Sequence, residues 1–154
     1  MAIEYDFYLS SGLHPALAVE VLLGRFPELA WSEDKTFLVG PTMRAGAMEL
    51  SKSRQETINE GYGFVPTLSV WFRRAFDAEP NRFAELLLES TLVLLEHTQD
   101  AVLLVNEEIT VMQRLGGQIA FNAETNPGRD EAWLRSRFPL PFECRPLRSP
   151  LVEG

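Results

Sequence analysis

One cysteine and two histidines in 154 residues exclude much chemistry at the outset. Cys144 has no intramolecular partner for a disulfide, and His14, His97 and Cys144 show no recognised spacing of nitrogen and sulfur metal ligands. Basic residues are also scarce. Fourteen Lys and Arg stand against 22 Asp and Glu, and the net charge of -8 opposes a phosphate backbone. Arg73 and Arg74 are too short a cluster to reverse that balance, so no nucleic-acid partner is expected. No apolar run approaches the roughly 18 residues a membrane span requires; the richest, residues 86–95, is broken by Glu89, Ser90 and Thr91. The N-terminus enters an alternating segment at once, without a basic stretch leading into an apolar one. These absences predict a cytoplasmic chain that no membrane holds.

Catalytic signatures are missing too. A Cys144 nucleophile would need a base and an electropositive pocket, yet it lies between Glu143 and Arg145 in a proline-rich stretch. Gly116-Gly117 lacks the frame of a dinucleotide fingerprint, and Gly61-Tyr62-Gly63 lacks the lysine of a phosphate-cradling loop. Both read as turns. Glu107 and Glu108 are adjacent carboxylates at a hairpin tip, where water keeps both ordinary, and no serine occupies a nucleophile elbow. No catalytic residue, cofactor or metal is therefore expected.

What the chain does contain is the pattern of a layered α+β fold. With 45% hydrophobic and 23% charged residues it has the composition of one globular domain. Ile3, Tyr5, Phe7 and Leu9 alternate with polar neighbours, which predicts a first strand; Pro15 opens a helix that Pro27 stops. Thr36 to Val39 and Ala47 to Ser51 read as short strands separated by Gly40, Pro41 and Gly46. Ser53 with Glu56 suggests a capping box for one or two helical turns ending at Gly61. Asn81 is the expected N-cap of a second long helix, whose stripe runs through Phe83, Leu86, Leu87, Leu94 and Leu95.

Residues 101–122 read as an antiparallel meander. An Asn106-Glu107 turn would set Leu104 opposite Ile109 and Val102 opposite Val111. A three-residue loop through Leu115, Gly116 and Gly117 would then pair Val111 with Phe121 and keep one continuous apolar face. The expected architecture is a mainly antiparallel sheet with two helices on one face, formed by residues 1–122. Residues 123–154, punctuated by Pro127, Pro139, Pro141, Pro146 and Pro150, form a proline-rich tail packed on it or trailing from it, with room for a short helix around Asp130 to Arg137.

One stretch raises a question of function. In GYGFVPTLSVWFRR, Leu68, Val70 and Phe72 point to the core, so Trp71 and Arg73 belong to the other face. Either helix, loop or tail covers Trp71 and makes a second small core, or Trp71 and Arg73 form an exposed patch of the residue types in which binding energy concentrates.

The runs EGYGFVPTLSVWFR, LLESTLVLLEH and DAVLLVNEEITVMQRLGGQIAFN, within residues 56–122, resemble the Sit-type immunity proteins, which protect swarming bacteria from lipoprotein toxins exchanged between cells. Where that family commonly has Asn-Gly at the first hairpin, this chain has Asn106-Glu107. The resemblance implies a protein that sticks to one cognate toxin and covers its active surface, with no turnover. The candidate contact residues are Trp71 and Arg73, together with the acidic Glu33, Asp34, Glu60, Glu107 and Glu108, which would meet a cationic toxin surface. The alternative is a self-associating scaffold domain, a homodimer in which an exposed strand pairs with its own copy; a small-molecule or catalytic domain stands third.

Overall fold

The computed structural model describes residues 3–126 and 128–153; Pro127 lies outside the described residues. The strands are β1 (Glu4–Ser11), β2 (Ala30–Trp31), β3 (Leu38–Val39), β4 (Met43–Glu49), β5 (Leu68–Arg74), β6 (Thr98–Val105), β7 (Ile109–Leu115), β8 (Gln118–Asn122) and β9 (Glu143–Arg145). The helices are α1 (Pro15–Arg25), α2 (Lys52–Tyr62), α3 (Pro80–Leu95), α4 (Glu131–Arg137) and α5 (Pro150–Glu153). All nine strands join one sheet in the order β2-β3-β4-β5-β1-β6-β7-β8-β9, antiparallel except for the β8–β9 pair.

The first face of the sheet carries the larger core. Phe7 and Leu9 of β1, Val70 and Phe72 of β5, Leu103 of β6, Met112 of β7 and Phe121 of β8 share it with Leu22 of α1, Leu86 and Leu87 of α3 and Leu134 of α4. Each such buried side chain contributes about 1.5–3 kcal/mol relative to exposure. The second face is not left to solvent, as an expectation of helices on one side alone would have it. Ile58 and Tyr62 of α2, with Phe64, pack on Tyr8, Val102 and Leu104, and Leu151 of α5 packs against that cluster. Helices therefore lie on both faces, and Tyr8, on the side of β1 that reads as polar, is buried.

The stretch expected as a proline-rich tail is built into the sheet. Cys144 of β9 registers with Phe121, and Phe138 and Phe142 pack edge-to-face on the Phe121 ring at centroid distances of 5.2 Å each. A buried polar knot then fastens the C-terminal segment. Thr110 Oγ1 lies 2.6 Å from Tyr62 Oη and donates to the Arg148 carbonyl at 2.7 Å, while Ser149 Oγ accepts from Thr110 N at 3.0 Å. Asn122 Nδ2 donates to the Thr110 carbonyl at 2.7 Å, so each buried polar group here has a partner.

Several local expectations are corrected by hydrogen bonding. Ser51, not Ser53, caps α2, its Oγ accepting from Arg54 N at 3.1 Å, and the helix runs eleven residues to a left-handed Gly63. Glu79, not Asn81, caps α3, because its carboxylate reaches both Asn81 N and Arg82 N. The strand placed at Ala47 to Ser51 begins earlier, at Met43, with Gly46 inside it rather than at a break.

The meander differs in a way that explains itself. Leu104 pairs with Thr110 and Leu103 with Met112, so Val111 is an extra residue and a β-bulge. Val111 and its neighbour Met112 are both buried in the first core. The bulge shifts the parity of β7. A two-residue Gly116-Gly117 turn, with both φ angles positive, then suffices to pair Met112 with Phe121 on the core face. The three-residue loop was expected to do that job; the bulge does it instead.

Candidate interaction face

Helix α2 covers only part of the second face. Over β6, β1 and their neighbours it seals the cluster around Val102 and Leu104, but among the described residues that second-face cluster takes in no residue of β4 or β5, whose helices α1 and α3 pack on the first face instead. The residues there follow from register. Met48 lies opposite Ser69, Gly46 opposite Trp71 and Arg44 opposite Arg73; on the other side of β5, Trp71 lies opposite Asp6 and Arg73 opposite Glu4. The side chains of all these positions share one face.

Trp71 is half-buried, and its cover is neither helix nor tail. Its ring lies flat over Gly46, where a Cβ would come within 2.6 Å of three ring atoms. Glycine is thus required by the close approach, which is why a strand interior tolerates it. Phe37, from the loop before β3, packs on the ring in a tilted arrangement at a centroid distance of 5.8 Å, and the Arg73 guanidinium lies over the ring at 5.8 Å. Met48, 51% exposed, extends this apolar floor. Of the covers expected for Trp71, a loop supplies one through Phe37, and the resulting aromatic cluster stays part-exposed.

Gly46→Ala tests this geometry. The added methyl has to tilt the Trp71 ring away from β4, at an expected cost of about 1–3 kcal/mol. Urea unfolding reads the cost, and a red shift of tryptophan emission reads the ring's exposure. Unchanged emission and stability would show that Trp71 is not held against β4.

Beside the aromatic cluster lies a charged one. Arg73 Nε and Nη2 both approach Glu4 Oε1 at 2.8 Å. Arg54, reaching from α2, donates through Nε to Tyr8 Oη at 3.0 Å; Tyr8 Oη donates to Glu107 Oε1 at 3.2 Å, and Arg54 Nη2 lies 3.3 Å from that same oxygen. Glu107 makes this reach from a left-handed φ of 59°, a conformation that costs a non-glycine residue about 1–2 kcal/mol. Its ties to Tyr8 and Arg54 offset that strain, and they account for a glutamate where Asn-Gly is the favoured hairpin dipeptide.

Between the two clusters sits Asp6, only 5% exposed, with Oδ2 lacking a hydrogen-bond partner among the described residues. Burial, then the negative charges of Glu4 and Glu107, push its carboxyl up to about 7, against the pull of Arg54. The arginines that would hold it ionised are committed elsewhere.

The remaining acidic candidates are not brought together. Glu33 and Asp34 are exposed in the loop between β2 and β3, where hydrogen bonds from Ser32 and Thr36 hold the Asp34 carboxyl below its usual range. Glu60 is exposed on α2, and Glu108 stands at the β6–β7 tip beside Glu107. Sequence reasoning missed Asp6, Arg44, Met48 and Phe37, and it missed Phe76, which is 91% exposed just past the end of β5. Only Asp6 carried a signal, as a carboxylate within a strand.

Other sites for chemistry are thin. A shallow cleft of about 490 Å³ is lined by Ser10, Ser11, His97, Thr98 and Asp100 among others. Its polar groups serve the backbone: Thr98 Oγ1 donates to the Ser10 carbonyl, and Asp100 Oδ1 accepts from Gly116 N at 2.9 Å. Cys144 donates to the Gly128 carbonyl, and burial raises its thiol above the ordinary range. Among the described residues no group of three or more His, Cys, Asp and Glu is placed to hold a metal ion, and no helix is long and apolar enough to cross a membrane.

Fold and face together define an α+β protein with a mostly antiparallel nine-stranded sheet whose half-open side presents an aromatic and arginine surface. The chain matches the SitI3-like family model over residues 3–132 and belongs to that family, a Sit-type immunity protein family. No curated protein and no solved structure matches it. The family match begins at the first strand, so it takes in the N-terminal third that the recognisable runs within residues 56–122 leave out.

Proposed function

We infer that this chain is an immunity protein that binds one cognate bacterial toxin in the cytoplasm and neutralises it by covering part of its surface, without turnover. Membership of the SitI3-like family supports the class of activity. The observation that carries the mode of action is Trp71, stacked on Gly46 with Arg73 above it, on the side of β4 and β5 opposite the one that α1 and α3 cover. Trp and Arg at the centre of a patch are the residue types that dominate binding energy, and a standard interface needs about 800 Å² per partner. The net charge of -8, with Glu33, Asp34, Glu60, Glu107 and Glu108 among the exposed acids, steers the chain toward a toxin of cationic surface and accelerates encounter.

Co-expression with the toxin encoded beside it tests this reading. Cells carrying the wild-type chain are expected to grow while cells carrying toxin alone arrest; arrest in both would overturn it. A scaffold that pairs strands with its own copy has less support, because β5 is interior and the sheet ends in β2 of two residues and β9 of three. Such short edges resist edge-to-edge pairing.

A further inference from the structure

Arg44 and Arg73 are placed where like charges disfavour each other. They face one another across β4 and β5 on the same side of the sheet, and directly opposed like charges in an antiparallel pair are destabilising. Arg73 is balanced by Glu4 at 2.8 Å. Arg44 is exposed and forms no ion pair among the described residues. The chain has 22 acidic residues with which to neutralise it, yet its row continues instead to Val39 of β3. The next row of the face is Gly46 and Trp71, with Phe37 against the ring, and Met48 lies one row further. Two guanidinium groups thus border an apolar floor, in an otherwise acidic protein.

We propose that this corner docks an acidic segment of the toxin, whose Asp or Glu carboxylate is held between Arg44 and Arg73 while its neighbouring apolar side chain rests on Trp71 and Met48. The inference rests on the immunity reading and specifies its contact. Arginine suits the task because its planar fork binds a carboxylate through two parallel hydrogen bonds and also stacks on an indole. A bound carboxylate relieves the opposition of the two arginines, so the pair gains attraction to the ligand and loses mutual repulsion together. The partner is then of mixed charge: basic overall, to be steered by the net charge of -8, with a carboxylate at the point of contact. That arrangement fixes orientation, because a rotated complex would set toxin cations on Arg44 and Arg73.

The experiment measures affinity of the toxin encoded beside this chain for wild type, Arg44→Lys, Arg44→Glu and the double variant Arg44→Glu with Arg73→Glu. Arg44 is exposed and unpaired, so Arg44→Glu is expected to fold as wild type does, checked by urea unfolding. Its affinity is expected to fall about tenfold or more, with a smaller loss for Arg44→Lys, which keeps the charge but not the fork. The double variant is expected to lose about a hundredfold or more, and Asp→Arg or Glu→Arg substitutions in the toxin are expected to restore binding to it at one position. Folded Arg44→Glu that binds as tightly as wild type overturns this inference and leaves the immunity reading standing. Wild-type chain that neither binds nor protects overturns both. Self-association lost in Arg44→Glu, or binding of single-stranded DNA at this corner in place of toxin, would likewise overturn the proposal.

Discussion

Alanine at both Trp71 and Arg73 is expected to weaken toxin binding by about 2–4 kcal/mol, roughly 30-fold to 1000-fold, with most of the effect in the dissociation rate. The reasoning is local. Trp71 is the only large aromatic on the open side of β5, and Arg73 lies over its ring at 5.8 Å while paired with Glu4. Removing the indole leaves a gap beside Phe37 and over Gly46, and removing the guanidinium leaves Glu4 with no cation opposite. The single variants separate the two losses. Arg73→Ala is expected to keep the Trp71 stack and lose the salt-sensitive part of affinity; Trp71→Ala is expected to lose the apolar part. Surface plasmon resonance at two salt concentrations reads both, and circular dichroism confirms folding. A folded double variant with wild-type affinity would remove this face from the interface.

The second large effect concerns stability rather than binding. Burial pushes the Asp6 carboxyl up to about 7 in the folded chain, whereas an unburied aspartate titrates near 3.8. Between those limits the folded state is protonated and the unfolded state is not, so unfolding releases a proton and becomes easier as pH rises. The contribution of Asp6 to stability is therefore least unfavourable below about pH 4, and the penalty is complete above about pH 7. At about 1.4 kcal/mol for each tenfold change in proton affinity, the rise from 3.8 to about 7 sets an upper limit of about 4 kcal/mol on that penalty. Asparagine is nearly isosteric and cannot ionise. Asp6→Asn is accordingly expected to raise stability by about 2–4 kcal/mol at pH 8 and by little at pH 4, measured as urea unfolding of both proteins across that range. An equal difference at the two pH values would show that folding does not raise the proton affinity of Asp6. Because Asp6 lies opposite Trp71, the same titration is expected to register in tryptophan emission.

How much of this was legible in the sequence depends on whether a feature is set by local pattern or by contact across the fold. Strand β5 and the apolar stripe of α3 read directly, since their periods survive over whole elements. The order of strands within the meander was also plain. Its register was not, because the bulge at Val111 is a single residue with no composition of its own, yet it reverses the face of everything after it in β7. The caps were displaced for a similar reason. Ser51 and Ser53 are chemically alike, and only the path of the chain decides which oxygen meets a free amide. Gly46 read as a break because glycine usually is one; a tryptophan on the neighbouring strand makes it part of β4.

The covered second face was hidden by its own chemistry. Asp6 and Tyr8 made that side of β1 look polar and solvated, although α2 lays Ile58 and Tyr62 beside Tyr8 and Arg54 answers its hydroxyl. Trp71 and Arg73 could be singled out from strand parity alone. Their partners on the open face could not: Arg44, Phe37 and Met48 lie 23 to 34 residues before Trp71, and Asp6 is in the first strand. A charged patch of this kind is assembled by register, which the sequence encodes only through the whole sheet.

Side-chain footprinting of the complex with hydroxyl radicals tests the central claim most directly, since it reports which aromatic, sulfur-bearing and aliphatic side chains the toxin covers. Protection of Met48, Phe37 and Trp71, with the exposed Leu17 of α1 and Val65 beside α2 labelled as in the free chain, is the result expected of docking on the open side of β4 and β5. Protection of Leu17 or Val65 with Met48 and Trp71 unchanged would contradict it.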